Sequence, residues 1–368
     1  MATTRKPPFR ADHVGSLLRP QSVLGARDRH AKGELSAAGL RAVEDAAIRD
    51  VVKMQEDVGL RSITDGEYRR GIYHADFLAR IDGITIAALE GSKQFTAGHA
   101  GTGFAITGKV RRTQGIETEN FKVLKALTTQ TPKLCIPSPP TAFFRAGRDG
   151  VDKEAYPDLE AYFADMATVY REELAALAAL GCTYIQFDDV NFARLCDPAL
   201  REGLKKRGMD PEAMLDLCIR MINDALVGRP AGMTVCVHIC RGNYRSTWVA
   251  EGGYAPIAEK AFALTNVDGF FLEYDDARSG DFAPLRHVAK GKQVVLGLVT
   301  TKTGVLESKD ALKRRIDEAA TLVPLENLCL SPQCGFATAA EGNLLTVDDE
   351  VKKLRLIVET AREVWGEA

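Results

Sequence analysis

The sequence predicts an α/β protein built as a (β/α)8 (TIM) barrel with an excursion after the second strand. Short apolar runs of strand length alternate along the chain with longer segments of helical period, which is typical of a parallel sheet whose strands are joined by helices. A chain of 368 residues has the size at which such barrels occur undivided. We therefore expect a single domain over 1–368, with an insertion at about 84–120.

Eight segments carry the strand signal. Each is a short run of mainly apolar and β-branched residues. In chain order they cover 13–18, 61–68, 133–139, 183–190, 233–240, 269–275, 293–301 and 327–335. In a barrel of this kind the loops after the carboxyl ends of the strands surround one mouth. Polar side chains at those strand ends are therefore the candidates for a functional site.

Amphipathic segments between the strands predict the helices. Many of them have acidic residues early and basic residues late, as the helix dipole favours. They cover 37–58, 158–180, 210–227, 254–264, 308–321 and 348–365. The segment 84–120 differs, because it is rich in glycine and threonine and offers no long helical period. We expect it to form a hairpin over the barrel mouth, since long loops in compact domains usually carry function or are disordered.

Charge and composition exclude several classes of protein. The chain has 48 basic and 50 acidic residues and no run of like charge, so it lacks the basic footprint of a nucleic-acid-binding protein. The segment MATTRKPPFRADHVG has no apolar signal-peptide core, and no stretch has membrane-spanning length. We expect a soluble cytoplasmic protein whose eight cysteines are reduced. The sequence does not predict an oligomeric state.

Four side chains at predicted strand ends form a candidate metal site. His238 and Cys240, in VHICRGNYRSTW, lie two positions apart and therefore on the same face of a strand. Glu273 follows an apolar run, and Cys334 precedes a glycine at the end of the last predicted strand. An imidazole, two thiols and a carboxylate suit Zn²⁺, which takes nitrogen and sulfur ligands tetrahedrally. We predict that these four residues bind zinc.

Simpler interpretations exist for the same residues. His238 could be a hydrogen-bonded core histidine, and Glu273 could pair with Arg278. The segment after the pair, Arg241 to Asn243, could orient the two ligands or be a purely structural loop, with Gly242 allowing the tight turn.

More polar groups fall at the same end of the predicted barrel. Ser16 follows a glycine, Glu67 closes the second strand, and Asp188 and Asp189 interrupt the fourth. Buried carboxylates are unfavourable unless a cation or hydrogen-bond donors satisfy them, and a substrate ammonium would do so. The alternative for Asp65 and Glu67 is a set of salt bridges with the arginines at 69 and 70.

Six motifs together resemble the catalytic barrel of cobalamin-independent methionine synthase and its short homologues. They are HVGSLLRP, ITDGEYRR, YIQFDD, HICRGN, FFLEYDDARSGDF and LSPQCGF, and they extend over nearly the whole chain. The resemblance implies a zinc barrel that methylates the thiol of homocysteine, with the four predicted zinc ligands matching those of the family. It also implies that Ser16 holds the amino-acid carboxylate and that Glu67 and Asp188 hold the ammonium.

The chain departs from the family pattern in three places. The long family members have a second, N-terminal barrel, for which 368 residues leave no room. Where the family reads aspartate, glutamate, proline, this chain has Asp188, Asp189 and Val190. Lys302, in GLVTTKTG, stands where the family has a histidine that protonates the departing folate. A lysine there could anchor an anionic donor, donate a proton if desolvated, or be a solvated loop residue.

These patterns predict a zinc-dependent methyltransferase that converts homocysteine to methionine with methyltetrahydrofolate or another methyl donor. Zinc turns a thiol into a thiolate nucleophile, and the pocket holds sulfur and carbon in line. Lys302 is the predicted catalytic residue. Two alternatives stay open: another zinc-dependent thiol alkyltransferase, such as one that opens epoxides with coenzyme M, and a metal-free barrel related to uroporphyrinogen decarboxylase.

Overall fold

Strands at regular intervals form the framework of the protein. A computed structural model describes residues 5–93 and 100–368. Its strands are β1 (Ser62–Ile63), β2 (Asp82–Lys93), β3 (Ala100–Arg111), β4 (Thr131–Pro132), β5 (Leu134–Pro137), β6 (Tyr184–Asp189), β7 (Thr234–Ile239), β8 (Gly269–Glu273), β9 (Gln293–Val299) and β10 (Leu328–Pro332).

The strands pair mainly in parallel. β5 to β10 form a six-stranded parallel sheet in chain order, and β1 and β4 form a separate parallel pair. Ala11 makes an isolated parallel bridge to Leu330 on β10. Parallel neighbours that follow one another in the chain need crossover connections, which α-helices supply except between β8 and β9, where two short 3₁₀ helices lie. The architecture is therefore mixed α/β around a parallel sheet.

The helices agree with the periodicity of the sequence. They are α1 (Gln21–Ala31), α2 (Ala37–Val58), α3 (Ala75–Leu78), α4 (Thr118–Leu127), α5 (Thr141–Ala146), α6 (Leu159–Ala179), α7 (Asn191–Cys196), α8 (Pro198–Lys206), α9 (Pro211–Ala225), α10 (Ala255–Leu264), α11 (Lys309–Ala320) and α12 (Val347–Trp365). Each of the six predicted helices is confirmed to within two residues at either end. None of the described helices is both long and apolar enough to cross a membrane.

Capping residues determine where α2 begins and ends and where α12 begins. The Ser36 hydroxyl accepts a hydrogen bond from the Gly39 amide at 3.1 Å, which begins α2. Gly59 ends the same helix with a φ of 96°, a left-handed conformation that glycine adopts without strain. Thr346 and Asp349 form a reciprocal capping box that begins α12.

The predicted strand at 13–18 is wrong. The Asp12 carboxylate accepts hydrogen bonds from the amides of Phe9 and His13, at 3.2 and 2.8 Å, and these bonds hold the chain in a turn. Gly15 then has a φ of 122°, which an extended strand does not have. The strand-like pairing nearest to this segment is the isolated bridge at Ala11, which precedes the predicted strand.

The second predicted strand, 61–68, is much shorter than expected. β1 ends at Ile63 because the Thr64 amide donates to the Gln55 side chain of α2, at 2.9 Å, and not to a neighbouring strand. Gly66 and Glu67 then have φ values of 65° and 60°. The chain turns sharply here, which places Glu67 in a loop and not on a strand.

The expected hairpin is present within the excursion. β2 and β3 pair in antiparallel fashion, and Phe104 on β3 packs against His74 with ring centroids 5.4 Å apart. Residues 94–99 of the predicted insertion lie outside the described residues. α4 begins at Thr118, close to the end of the predicted insertion.

Candidate active site

Three strands of the parallel sheet, β7, β8 and β10, bring the four predicted metal ligands to one edge of the sheet. His238 is on β7, Cys240 directly follows β7, Glu273 is the last residue of β8, and Cys334 lies two residues beyond β10. Because the strands are parallel, their carboxyl ends meet at the same edge. The fold thus brings together residues that are up to 96 positions apart in the chain, from 238 to 334.

The ligand atoms of this group converge on one point. An imidazole nitrogen, two Sγ atoms and a carboxylate oxygen lie within 4.8 Å of one another, and all four side chains are buried. Cys240 Sγ and Cys334 Sγ are 3.3 Å apart. Within the described part of the chain, neither ring nitrogen of His238 nor Oε2 of Glu273 has a hydrogen-bond partner. Buried polar atoms without partners are unfavourable, and a bound Zn²⁺ would satisfy them. The donor set therefore fits zinc.

Neighbouring groups fix the orientation of these ligands. The Arg241 amide donates to Glu273 Oε1 at 2.7 Å, and the Gly242 amide donates to Cys240 Sγ at 3.3 Å. Gly242 has a φ of 84°, and a Cβ atom there would lie 2.7 Å from Val249. The predicted tight turn at Gly242 is confirmed, and Glu273 keeps Oε2 free for a metal.

The pKa values of the two thiols are shifted in opposite directions. The hydrogen bond between them holds the pKa of Cys334 well below its ordinary value and raises the pKa of Cys240. Burial raises the pKa of Glu273 to about 7, although the charge of Lys302 acts in the opposite direction. Cys334 is therefore the thiol that loses its proton more readily, and metal binding must release the protons that remain on the ligands.

A cavity adjoins the metal ligands and contains all three predicted substrate-binding residues. Ser16 Oγ lies at its wall, where a Cβ atom on Gly335 would be only 1.9 Å away from it. The cavity is lined by Val14, Ser16, Glu67, Tyr73, Asp188, His238, Cys240, Cys334, Gly335 and Thr338. A molecule in this cavity would contact the metal ligands and the two carboxyl groups at the same time.

The two carboxyl groups form an acidic end of the cavity. Oxygen atoms of Glu67 and Asp188 and the Sγ atom of Cys135 lie within 4.8 Å of one another. Burial raises the pKa of Glu67 to about 8 and that of Asp188 to about 6. Asp188 Oδ1 accepts from the side-chain Nε2 of Gln186 at 2.6 Å, while Glu67 Oε2 has no hydrogen-bond partner among the described residues. This end of the cavity is suited to an ammonium group.

The structure decides between most of the simpler interpretations. Arg278 pairs with Asp275 and Asp276, at 3.1 and 2.7 Å, and not with Glu273. Arg70 does lie 3.5 Å from Glu67, so the predicted ion pair exists beside the cavity. Glu67 thus has an ion-pair partner on one side and the cavity on the other.

Lys302 points inward. The residue is 8% exposed, and its Nζ has no hydrogen-bond partner within the described ranges. Its charge acts on Glu273 and Cys334, lowering the pKa of both. The interpretation of Lys302 as a solvated loop residue is therefore wrong.

Sequence reasoning missed two polar residues of the cavity, Tyr73 and Thr338, and the thiol of Cys135 beside its acidic end. Cys135 lies among apolar residues on β5, and its Sγ donates to the Val14 carbonyl at 3.1 Å. Tyr73 and Thr338 lie in loops, where no periodicity marks them. The position of Cys135 on a strand of the same sheet was the available signal, because alternate residues of such strands face the interior.

Comparison with known proteins identifies the family. The family described as the catalytic domain of cobalamin-independent synthase matches residues 9–363. The chain belongs to the cobalamin-independent methionine synthase family. It is 45% identical over 364 residues to YxjH, an uncharacterized protein of Bacillus subtilis strain 168, and the match covers 98% of this chain and 96% of YxjH.

More distant family members have names that state an activity. The 5-methyltetrahydropteroyltriglutamate–homocysteine methyltransferase of Trichodesmium erythraeum is 23% identical over 336 residues, which cover 90% of this chain and 41% of that protein. The B12-independent methionine synthase of Shewanella sp. W3-18-1, solved in complex with selenomethionine, superposes with a TM-score of 0.73 at 20% identity, covering 96% of this chain and 97% of that one. This last likeness establishes a shared methionine synthase fold.

Proposed function

We propose that this protein is a zinc-dependent methyltransferase that transfers a methyl group to the thiol of homocysteine and so forms methionine. The observation that carries the proposal is the group of four converging, buried ligand atoms beside a cavity with an acidic end. The names of the more distant relatives, and the selenomethionine bound to the Shewanella enzyme, support the same substrate. The methyl donor is methyltetrahydrofolate or another methyl carrier.

Each residue of the site has a distinct task in this reaction. His238, Cys240, Glu273 and Cys334 would hold zinc, which supplies a Lewis acid that keeps the substrate sulfur ionised at neutral pH. The hydroxyl of Ser16, at the cavity wall, donates to the substrate carboxylate. The acidic end of the cavity pairs with the substrate ammonium, so that the sulfur is directed toward the metal ligands.

The transfer itself forms one bond and breaks another. The sulfur attacks the methyl carbon, a carbon–sulfur bond forms, and the bond between that carbon and the donor breaks with its electron pair left on the donor. The departing group then needs a proton or a cation. Lys302, buried beside the site with an Nζ that has no hydrogen-bond partner among the described residues, supplies one or the other.

We also infer that the parallel strands belong to one closed barrel within a single domain, with the hairpin as an insertion. A single residue, Lys133, separates β4 from β5, and its amide donates to the Ile63 carbonyl of β1 at 2.8 Å. At the other end of the sheet, the Asp12 amide donates to the Leu330 carbonyl at 3.0 Å. These bonds extend the six-stranded sheet on both sides.

The alternatives have less support from the described residues. A sulfonated thiol such as coenzyme M has no ammonium and leaves Glu67 and Asp188 without a partner. A metal-free barrel leaves the buried nitrogens of His238 unsatisfied.

The first measurement that tests the proposal is the metal content of the purified, untagged protein. We expect about one tightly held zinc per chain by elemental analysis, and methionine formation when homocysteine and a methyl donor are added. Absence of zinc after reconstitution under reducing conditions would contradict the proposal. If the protein held zinc but alkylated no thiol, the proposal would be reduced to a metal-binding protein without methyltransferase activity.

The charge of the acidic end predicts how amino-acid binding depends on pH. An ammonium pairs with ionised carboxylates, and the pKa values of Glu67 and Asp188 are raised to about 8 and about 6. We expect methionine affinity to increase as the pH rises from about 6 to about 8, because protonated carboxyls lose the attraction. Methionine is the suitable probe, since it has no thiol proton of its own. Calorimetry in two buffers of different ionisation enthalpy should show proton release on binding; proton uptake would contradict the assignment.

A further inference from the structure

The two cysteines of the candidate metal site lie on loops that the sheet does not join directly. Cys240 follows β7 and Cys334 follows β10, and β8 and β9 lie between those two strands in the sheet. The two Sγ atoms are nevertheless 3.3 Å apart. Because the hydrogen bonds of a sheet join only neighbouring strands, contacts beyond the strand ends must hold these two loops together.

The side chain of Asn243 joins the two loops. Asn243 lies three residues after Cys240 and is 2% exposed. Its Nδ2 donates to the carbonyl of Gly335, the residue after Cys334, at 2.7 Å. A carbonyl only accepts hydrogen bonds, so this contact fixes which side of the Asn243 amide faces Gly335.

Thr301, in the loop after β9, holds the same segment. Its hydroxyl donates to the Gly335 carbonyl at 3.2 Å and accepts from Asn243 Nδ2 at 3.3 Å. The Thr301 amide donates to the side-chain oxygen of Gln333 at 2.6 Å. The residues on both sides of Cys334 are therefore hydrogen-bonded to neighbouring loops.

These hydrogen bonds are shielded from water. Asn243, Thr301 and Gln333 are buried, and Gly335 has so little space that a Cβ atom there would lie 1.9 Å from Ser16 Oγ. Separating the loops would leave buried donors and acceptors without partners, which is unfavourable. The link therefore opposes any movement of the two cysteines away from each other.

We propose that Asn243 is a positioning residue that holds Cys240 and Cys334 at the separation required for zinc binding. This inference rests on the proposed function, because it assumes that the four converging ligands bind the metal. Groups outside a ligand set orient the ligands and so increase metal affinity. Asn243 does this through the backbone of the segment that follows Cys334. A purely structural role for Asn243 would change stability without changing the geometry of the metal site.

The zinc affinity of the full chain tests this inference. Asn243→Leu keeps the number of side-chain heavy atoms and adds no charge, but it removes the amide donor. We expect the zinc dissociation constant, measured by competition with a chelator, to increase about 10- to 100-fold, the usual effect of losing a group that orients metal ligands. Thr301→Val should weaken zinc binding less, because Asn243 still donates to Gly335 in that variant.

Asn343→Leu is the matched control. Asn343 is also buried, and its Nδ2 donates to the carbonyl and the hydroxyl of Thr301, at 2.9 and 3.2 Å. Its Oδ1 accepts from the Ser246 amide at 3.0 Å. Among the described residues, these side-chain bonds join the loops after β7 and β9 and do not reach the segment of Cys334. We expect Asn343→Leu to lower the thermal stability of the metal-free chain, but to change zinc affinity less than about threefold, below the range for a lost orienting group.

Cobalt-loaded protein gives a readout that a change in stability alone does not move. Co²⁺ bound to thiolates has charge-transfer and ligand-field absorption bands that depend on the geometry of its ligands. At full cobalt occupancy, we expect Asn243→Leu to change the positions and intensities of these bands. Asn343→Leu should keep the wild-type spectrum.

Each outcome supports or contradicts the inference. It is overturned if Asn243→Leu has wild-type zinc affinity, or if Asn243→Leu and Asn343→Leu lose zinc affinity equally. If circular dichroism shows that metal-free Asn243→Leu does not fold, Thr301→Val decides, and wild-type zinc affinity in that variant overturns the inference.

Failure of the proposed function has a different signature. A wild-type protein that binds zinc but alkylates no thiol contradicts the methyltransferase proposal and leaves the role of Asn243 standing. A wild-type protein that binds neither zinc nor cobalt contradicts both. A methyltransferase whose zinc affinity does not depend on Asn243 contradicts only the inference.

Discussion

Cys240→Ala and Cys334→Ala should each abolish both zinc retention and thiol methylation while the chain stays folded. Each substitution removes one of four converging ligand atoms, and the two sulfurs lie only 3.3 Å apart. We expect zinc affinity to fall by more than about 100-fold, since loss of outer-shell partners alone typically weakens metal binding about 10- to 100-fold. Methylation should fall with metal occupancy.

Cys236→Ala is the control for this pair of variants. Cys236 is on the same strand as His238, two positions earlier, and is equally buried, but its Sγ atom belongs to a different packing cluster. We expect this variant to keep zinc and activity, with a loss of stability of about 1 kcal/mol from the cavity left by the sulfur. The three variants are compared by zinc content from elemental analysis, by circular dichroism and by thermal unfolding. Full zinc occupancy in either Cys240→Ala or Cys334→Ala would show that the cluster is not the metal centre.

Glu67→Gln should weaken the binding of homocysteine and methionine about 10- to 100-fold and leave zinc content unchanged. The substitution preserves shape but removes one of the two carboxylates at the acidic end of the cavity. A hydrogen bond to a charged group is worth about 1.5–3 kcal/mol, and Asp188 retains part of the attraction, which gives this range. The loss should appear in substrate affinity, measured by calorimetry, before it appears in the rate at saturating substrate.

Glu350→Gln provides a matched comparison for Glu67→Gln. Glu350 is as buried as Glu67, burial raises its pKa to about 8 as well, and its carboxyl accepts from the Leu18 amide at 2.8 Å outside the cavity. We expect this variant to bind methionine like the wild type. Equal losses of methionine affinity in the two variants would mean that Glu67→Gln weakens binding by destabilising the fold and not by removing a contact with the ligand. Unchanged methionine affinity in Glu67→Gln would show that the ammonium does not bind at this end of the cavity.

The parts of the fold that follow from local periodicity were predictable from the sequence. α2 was predicted at its observed bounds, because an apolar face with a period of 3.6 residues and the flanking Ser36 and Gly59 are all visible in the chain. The four ligands were predicted for a related reason. Once the strands of a parallel sheet are located, their carboxyl ends must lie at one edge, so that edge is known without any long-range contact.

The errors occur where side-chain hydrogen bonds or the conformation of a glycine replace strand pairing. Residues 13–18 look like a strand, but Asp12 and Gly15 turn the chain, and Thr64 pairs with Gln55 of α2 where a strand partner was expected. The orientation of Lys302 could not be deduced either, because a lysine in a Gly- and Thr-rich loop is usually solvated. Its burial depends on segments that are distant in the chain.

Residue type and spacing are local properties, so the chain alone predicts an alternating α/β fold and the chemistry of the candidate metal ligands. The neighbours of those residues are set by the tertiary structure. The convergence of the four ligand atoms and the joining of Glu67 and Asp188 at one acidic end depend on contacts across the sheet. Burial and the charge of distant neighbours set these properties, and neither is visible along the chain.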